Sequence, residues 1–438
     1  MNRTMCRITA EEAAQKITSG QRIFITGNCS TPIPFVEALV RRYDELENVE
    51  VVQVLSIGMP EYITPEMSEH IRVNNLFISA NMRNAVNCGT ADFTPVFLHE
   101  IPYLFRQGHL TPDVAVIHVS PPDEHGYCSY GTEVGVTKSA AESARLVIAQ
   151  INPHMPRTLG DSFIHMSKID WCIDVDYELP EVKPLPVSDV QDQKAAHIAA
   201  LIPDGATLQT GIGGIPDAVL RRLTDHRDLG IHTELFADGV MEMIEAGVIT
   251  NAAKSIHTGK VVAGFAIGSR ALFRYIRRQS GHRAAPGPST STTRSSFRAT
   301  TVWSINSAGS RPDRRCARQH RHVFLFRRRR AGRFHGVARS KDGKSIIALP
   351  STAKDGALSR IVPTLKPGAG VTTSRNDVHI IATEYGTADL FGKTIAQRAQ
   401  ALINISSRFP RGEPAAQARA VSRRQVFAGI GAALPKNQ

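Results

Sequence analysis

The feature that most constrains the fold is a helix–strand–helix pattern that occurs twice. Residues 9–46 contain an amphipathic helical segment, a glycine turn, an apolar strand, a glycine-containing loop and a second helix, and residues 191–226 repeat that order. Helical spacing that alternates with short apolar runs is typical of βα units around a mostly parallel sheet. The repeat predicts two similar, open, mostly parallel α/β domains, and chance likeness between two common βα units is the alternative.

Further apolar runs extend the pattern and predict the remaining strands; they are residues 49–58, 70–79, 112–120, 143–151, 345–351 and 378–386. Three prolines within residues 177–190 disfavour helix and predict an extended linker. We therefore predict a first α/β domain over residues 1–180, a linker over 181–190, a second α/β domain over 191–407 and a basic tail over 408–438.

Composition excludes several classes of protein. With 438 residues, 42% of them apolar, the chain can build two or three sizeable cores. No apolar run is long enough to predict a membrane span, and the first residues lack the apolar core of a secretory signal. Six scattered cysteines without a CxxC pair argue against a disulfide framework and a zinc site. We expect a cytoplasmic protein without a metal.

The net charge of +12 is concentrated in two blocks. Residues 277–333 hold fifteen arginines, no lysine and one acid, and residues 408–438 are also basic. Residues 277–336 lack a periodic apolar face, which fits either a disordered basic insertion or translation in the wrong reading frame. We favour the second interpretation, because glycine codons shifted by one base encode arginine. A nucleic-acid-binding segment is a rival, although no aromatic platform or known motif accompanies the arginines.

The first candidate site is the glycine cluster TGIGGIPDAVL, residues 210–220. It follows a strand-like segment and opens a helix-like one, so its bare N–H groups and the helix N-terminus favour a negatively charged ligand. The signal is weak, because the cluster is neither GxGxxG nor a P-loop with its lysine. A tight strand-to-helix turn without a ligand is the alternative.

The second candidate is Glu234 in GIHTELFADG, residues 230–239. A glutamate in this position could simply begin a helix, since LFADGVMEMIEAG continues with helical spacing. A carboxylate close to a glycine-lined anion site is suited to acyl transfer, in which it acts as nucleophile while N–H groups hold the oxyanion. We therefore predict that Glu234 lies near the glycine cluster.

Longer motifs resemble a known family. GIGGIPDAVL with DLGIHTELFADGVMEMIEAGVIT, HVSPPDEHGYCSYG at residues 118–131, and residues 344–405 are similar to the acetyl-CoA hydrolase / 4-hydroxybutyrate (butyryl-type) CoA-transferases, which are class I CoA-transferases. The likeness covers residues 5–276 and 336–405. It implies a CoA-transferase that moves CoA from a short-chain acyl-CoA to a free carboxylate such as 4-hydroxybutyrate, butyrate or acetate.

The resemblance also implies roles for particular residues. Glu234 would be the nucleophile of a ping-pong cycle through a glutamyl-CoA thioester. The turn made of Gly211, Ile212, Gly213, Gly214 and Ile215 would lie against CoA, and Lys354 would lie near its phosphates. The resemblance implies no permanently bound cofactor, since CoA and acyl-CoA are substrates, and no nucleic-acid or membrane partner. It leaves open whether identical chains associate.

The chain departs from the family at one place. Before GVARSKDGKS, family members carry a glycine-rich stretch of the type SGVGGQVDF that lines the CoA site, where this sequence has FRRRRAGRFH. Four cations in place of bare backbone would obstruct CoA, so we predict impaired activity. An acyl-CoA hydrolase on the same scaffold is the close rival, and a basic nucleic-acid-binding protein is the rival of another class.

Overall fold

The computed structural model describes residues 6–58, 63–184, 186–211, 213–279, 343–354, 356–362 and 375–407, with the backbone of strands at 289–290 and 302–307. The chain forms two compact units, Met1–Pro184 with Gly230–Ala299, and Leu185–Leu229 with Thr300–Gln438. The boundaries predicted from the sequence kept residues 191–407 together. The units instead place the residues from Gly230 onward, Glu234 among them, with the first one.

An eight-stranded sheet organises the first unit, and every adjacent pair of its strands is parallel. The strands lie in the order Cys6–Arg7, Trp171–Asp174, Leu146–Ile151, Val114–Val119, Arg22–Ile25, Val49–Gln53, Ile71–Asn75 and Asp92–Phe93. This confirms the predicted α/β class with a mostly parallel sheet.

Two apolar layers cover the faces of this sheet. Successive residues of a strand point to opposite faces, so Ile23 and Ile25 pack in one layer while Phe24 packs in the other. The first layer holds helices Ala10–Ala14, Ile33–Arg41, Pro65–His70 and Arg83–Cys88, and the second holds Ile101–Arg106 and Thr137–Ser143. Burial on both faces explains why these strands read as continuous apolar runs.

The strand order reverses at Arg22–Ile25. From that strand the chain fills one side of the sheet through Asp92–Phe93, and then returns to Val114–Val119 on the other side. In open α/β sheets, ligands bind beyond the carboxyl ends of the strands at such a reversal point. The loop after Arg22–Ile25 therefore occupies a position in the first unit that is suited to ligand contact.

Short elements complete the first unit. Helices Asp238–Glu245 and Arg270–Gln279 lie in its second part, with strand Gly230–Ile231. Three two-stranded ladders join Tyr127–Ser129 to Phe163–His165, Leu235–Phe236 to Phe265–Ala266, and Leu159–Gly160 to Ser289–Thr290.

The second unit is built on the other predicted repeat. Strands Thr207–Thr210, Val302–Ser307, Lys344–Ala348 and Ile380–Thr383 are adjacent and parallel, and Gly386–Asp389 adds an antiparallel edge. Its helices are Asp189–Ala199, Gly214–Arg221 and Ile395–Asn404, and Thr352–Ala353 pairs with Leu358–Ser359 as a hairpin. Both helix–strand–helix repeats read from the sequence are present.

Two sequence expectations need correction. Residues 277–336 lack the apolar patterning that predicts a strand, yet residues 302–307, which overlap the sequence SINSA at 304–308, form an interior strand of the second unit. Residues 277–279 end the helix Arg270–Gln279. The arginine run 327–330 lies outside the described residues.

The extended linker, predicted over residues 181–190, ends at Ser188, whose side chain caps the helix Asp189–Ala199. Within the described ranges, no helix is long and apolar enough to cross a membrane.

Candidate functional site

The segment around Glu234, residues 230–236, is here called the glutamate segment. It runs beside residues 262–267 as a short parallel ladder. The N–H groups of Gly264 and Phe265 both donate to the carbonyl oxygen of Glu234 over 3.0 Å. A methyl group added to Gly264 would meet that oxygen at 3.3 Å, so a larger residue there would crowd the contact. The main chain of Glu234 is therefore fixed on one side by a close backbone neighbour.

A lysine supports the start of the glutamate segment from within the protein. The Lys254 ammonium donates to the carbonyl oxygens of Ile231 at 2.8 Å and Lys260 at 2.6 Å. Burial lowers the pKa of Lys254 to about 8. The N–H of Ile231 donates to the Asn251 side-chain oxygen over 2.8 Å. Both main-chain groups of Ile231 are thus held by side chains.

Glu234 itself is buried, with 1% of its surface exposed. Four residues later, the carboxylate of Asp238 is buried at the start of helix Asp238–Glu245, and it accepts hydrogen bonds from the N–H and hydroxyl of Ser269. A negative charge is favoured at a helix N-terminus. The neighbourhood of Glu234 therefore combines buried carboxylates with a rigid backbone.

The loop after the central strand, residues 26–31, is here called the reversal loop. Its Asn28 is 1% exposed and has the left-handed φ of 55°. Gly27 lies so close to the neighbouring chain that an added methyl group would meet the Leu55 carbonyl oxygen at 2.3 Å. Cys29 is buried, and burial raises the pKa of its thiol to about 12. The reversal loop is tightly packed, and its thiol is held protonated.

A third buried carboxylate joins the reversal loop to the glutamate segment. Glu133 is 5% exposed, and its carboxylate accepts a hydrogen bond from the Asn28 side-chain amide. Its main chain pairs in an antiparallel bridge with Phe265, the neighbour of the glutamate segment. The charges of Glu133 and Asp238 also contribute to the raised pKa of Cys29. Polar groups from three distant parts of the first unit thus meet near Glu234.

The predicted glycine turn, residues 211–215, belongs to the second unit. It follows strand Thr207–Thr210, and Gly214 begins helix Gly214–Arg221. Gly213 adopts φ 126°, which only glycine reaches without strain. Ile212 lies outside the described residues. The turn therefore combines a glycine-specific backbone conformation at Gly213 with a helix N-terminus, where negative charge is favoured.

The helix Asp189–Ala199 approaches this turn closely. A methyl group added to Gly214 would meet the amide nitrogen of Gln191 at 2.6 Å. On the same helix, Lys194 is 2% exposed, and burial lowers its pKa to about 8, while the carboxylate of Glu384 opposes that shift. The glycine turn is thus backed by a helix that carries a buried cation.

Lys354 stands in the turn of the hairpin formed by Thr352–Ala353 and Leu358–Ser359. It is exposed and has the left-handed φ of 53°, and its carbonyl accepts from the N–H of Ala357 over 3.0 Å. Just before the hairpin, the Ser351 N–H and hydroxyl donate to Glu384. Lys354 is accessible to a solvent-borne anion.

Among the residues that the structure describes, no group of three or more His, Cys, Asp or Glu side chains is placed to hold a metal ion.

Comparison with known proteins decides the family. Residues 4–183 match the acetyl-CoA hydrolase/transferase N-terminal domain, and residues 332–413 match the C-terminal domain. The chain belongs to the acetyl-CoA hydrolase/transferase family. It is 43% identical to the 4-hydroxybutyrate coenzyme A transferase of Clostridium kluyveri over 91% of this chain and 94% of that one. It is 39% identical to the succinyl-CoA:cyclohexane-1-carboxylate CoA transferase of Geobacter metallireducens over 94% of both chains.

Solved structures agree with this assignment. The 4-hydroxybutyrate CoA-transferase from Porphyromonas gingivalis is similar with a TM-score of 0.78 and 37% identity, over 92% of this chain and 94% of that one. RipA from Yersinia pestis is similar with a TM-score of 0.80 and 28% identity, over the same fractions. The resemblance read from the motifs is confirmed, and the chain is an enzyme of the CoA-transferase type.

The predicted site residues fall in both units. Glu234 belongs to the first, while the described glycines of the turn, Ile215 and Lys354 belong to the second. The proximity of Glu234 to the glycine turn stays a prediction. Sequence reasoning missed Asn28 and Glu133. Asn28 follows Gly27 just after an apolar strand, and Glu133 lies two residues from a glycine on each side, in GTEVG.

Proposed function

We propose that this protein transfers CoA from a short-chain acyl-CoA to a free carboxylate, with Glu234 as the covalent carrier. The observation that carries the proposal is a buried glutamate whose main chain is held by two N–H groups, in a member of a family whose relatives are named as CoA-transferases. A carboxylate carried on a fixed main chain starts its attack from a defined position, which suits a nucleophile.

The cycle consists of four acyl transfers. The Glu234 carboxylate attacks the thioester carbonyl and expels CoA thiolate, which leaves a mixed anhydride. The thiolate then attacks the glutamyl carbonyl, releases the original acid as its carboxylate and leaves a glutamyl-CoA thioester. An incoming carboxylate attacks this thioester and expels CoA thiolate, which leaves a new mixed anhydride. The thiolate then attacks the carbonyl of the incoming acid, expels the Glu234 carboxylate and leaves as the new acyl-CoA. Each bond made replaces an equivalent bond broken, so no ATP is required.

CoA recognition falls to the second unit in this proposal. The bare backbone at Gly211 and Gly213 suits close approach of a ligand, and the helix that begins at Gly214 favours its negative charge. Lys354 is exposed and offers a mobile ammonium for the CoA phosphates. Ile212 and Ile215 would complete the contact.

The substrates follow from the relatives, which are named for 4-hydroxybutyrate, butyrate, acetate, propanoate, succinate and cyclohexane-1-carboxylate. We assign the short-chain monocarboxylates to this chain, since the relative of highest identity quoted above is a 4-hydroxybutyrate enzyme. The family model also includes hydrolases, so water is the rival acceptor. Release of free CoA in the absence of any carboxylate would favour hydrolysis.

The arginine run 327–330 lowers the activity of this chain in our proposal. It stands where the family that this sequence resembles carries a glycine-rich stretch. Four bulky cations there would obstruct the CoA site. The effect should therefore be a raised KM for acyl-CoA, with the glutamate chemistry preserved.

The decisive experiment replaces the proposed nucleophile. Glu234→Gln should abolish CoA transfer from butyryl-CoA to acetate, a loss of at least about 1,000-fold, because the amide cannot attack the thioester. Glu242→Gln is the matched control, since Glu242 is exposed on the following helix Asp238–Glu245 and should be neutral. Parent-level transfer by Glu234→Gln would refute the assignment.

A further inference from the structure

We infer that Asn28 and Glu133 form a positioning pair for Glu234, a role that rests on the function proposed above. The pair touches neither the thioester nor CoA in this account. It holds the backbone that carries the nucleophile against the reversal loop. The three residues come from parts of the sequence about one hundred residues apart, and they meet in the first unit.

The first link runs from Glu133 to Glu234 through the main chain. Glu133 pairs with Phe265, whose N–H donates to the Glu234 carbonyl oxygen. On either side of Glu133, the N–H of Val134 donates to the Gly264 carbonyl, and the Thr132 carbonyl accepts from the N–H of Ala266 over 2.8 Å. A displacement of the Glu133 segment would therefore displace the atoms that hold Glu234.

The second link runs from Glu133 to the reversal loop through side chains. Asn28 donates its amide to the Glu133 carboxylate. Hydroxyl pairs lie on either side of this contact: Ser30 with Thr132 at 2.7 Å, and Thr26 with Thr137 at 2.6 Å. All these side chains are buried. The reversal loop, at the position where α/β sheets bind ligands, is thus fastened to residues 132–137, the segment that contacts the backbone beside Glu234.

Burial makes this pair costly unless its hydrogen bonds are formed. Moving a carboxylate or an amide out of water costs the free energy of its hydration, and only a hydrogen-bond partner can offset that cost. An apolar pair of the same size would fill the space without that cost. The polar pair adds specificity, because a directional hydrogen bond fixes the reversal loop and the Glu133 segment in one relative position. Loss of the bond should therefore affect turnover more than folding.

The experiment compares Glu133→Ala with Glu133→Gln in the full chain. The alanine variant should lower the rate of CoA loading onto Glu234 and kcat by about 10- to 100-fold, with little change in the KM for acyl-CoA, because misplacement by about 1 Å has such effects. The glutamine variant keeps an acceptor oxygen for Asn28, so it should recover most of the rate. Glu50→Ala is the matched control.

Glu50 is the control because it also accepts from an asparagine amide in the first unit but, in the described part of the chain, is not hydrogen-bonded to the glutamate segment. In strand Val49–Gln53 it accepts from the Asn74 side-chain amide at 2.8 Å, and it is also paired with the Arg22 guanidinium at 2.6 Å. Removing it should change stability without changing the rate of CoA loading. A loss of rate in Glu50→Ala as large as in Glu133→Ala would show that general loosening, not position, is responsible.

Asn28→Gly tests the other partner. Glycine keeps the left-handed backbone at this position and removes only the amide. The variant should slow CoA loading as Glu133→Ala does, and the double variant should be no slower than either single one, since both break one contact. Additive losses in the double variant would overturn the inference.

The outcomes separate this inference from the proposed function. Parent rates in Glu133→Ala, or no recovery in Glu133→Gln, would overturn the positioning role while leaving Glu234 as nucleophile. If Glu234→Gln loads CoA as the parent does, the proposed role of Glu234 as covalent carrier is refuted, and the positioning role falls with it. Amide exchange at Gly264 and Phe265 needs no turnover: protection of these two N–H groups should fall in Glu133→Ala but not in Glu50→Ala, and unchanged protection would contradict the link.

Discussion

At the residue scale, His118 shows how burial sets the charge of one side chain. It is fully buried in strand Val114–Val119, with Nδ1 at 3.3 Å from the Ser30 carbonyl oxygen and Nε2 at 3.4 Å from the Gln150 amide nitrogen. Burial lowers the pKa of His118 from 6.5 to about 3. The imidazole is therefore neutral in the folded protein, and it contacts the reversal loop at the Ser30 carbonyl oxygen.

The lowered pKa predicts an acid-dependent loss of stability. The unfolded chain binds a proton at His118 below about pH 6.5, while the folded protein resists it until about pH 3, so stability present above pH 6.5 is lost as the pH falls. The free energy of unfolding should decrease by about 1.4 kcal/mol for each pH unit from this group. His118→Gln should lack that contribution in urea unfolding measured between about pH 7 and about pH 4.5. Equal slopes in both proteins would contradict it.

A long motif lets the sequence propose Glu234 as the nucleophile, and that role stays a prediction. Asn28 and Glu133 could not be paired, because their contact joins segments about one hundred residues apart, and no local pattern reports such a distance. The left-handed backbone of Asn28 was likewise invisible, although asparagine tolerates that conformation better than most residues.

At the element scale, the cap of helix Asp189–Ala199 and the glycine turn share one side chain. The Gln191 side chain accepts from the Ser188 N–H over 2.9 Å, and Ser188 caps the helix in return. The Gln191 amide also occupies the space that a side chain at Gly214 would need.

Gly214→Ala should therefore destabilise the protein through a neighbouring helix. The new methyl group displaces Gln191 and loosens the cap, at a cost of about 1 kcal/mol in the free energy of unfolding. In a Gln191→Ala background the same change should cost nothing further, since the side chain that it displaces is gone. A thermodynamic double-mutant cycle measures this coupling. Equal costs in both backgrounds would show that Gln191 is not the affected group.

Long elements followed from apolar periodicity, and short ones did not. The repeats at 9–46 and 191–226 were read correctly because each contains a helix, a strand and a helix with clear spacing. The ladder between Leu235–Phe236 and Phe265–Ala266 has only two residues on each side, too few for any period. Strand Val302–Ser307 was missed because arginine-rich, unpatterned sequence surrounds it.

At the scale of the whole molecule, the chain order does not follow the compact units. The chain leaves the first unit near residue 184, enters the second, and returns to the first at Gly230. The sequence could place the linker from its prolines, but the return depends on contacts between distant segments. This explains why the predicted second domain contained Glu234 while the compact units place it in the first.

The arginine-rich segment predicts that the gene is translated in a shifted reading frame over this stretch. Over residues 277–336, another frame of the coding DNA should encode a glycine-rich motif of the GVGGQ type. A protein carrying that alternative reading should have a lower KM for acyl-CoA than this chain. Coding DNA without such a motif in either other frame would show that the arginines are genuine.

The measurement that tests the central claim most directly is peptide mapping of the enzyme after brief incubation with butyryl-CoA. Our account predicts that the peptide containing Glu234 gains the mass of one CoA less one water, and that acetate removes the adduct as acetyl-CoA forms. An adduct on any other residue, or none on this peptide while acetyl-CoA accumulates, would contradict a covalent glutamyl-CoA intermediate at Glu234.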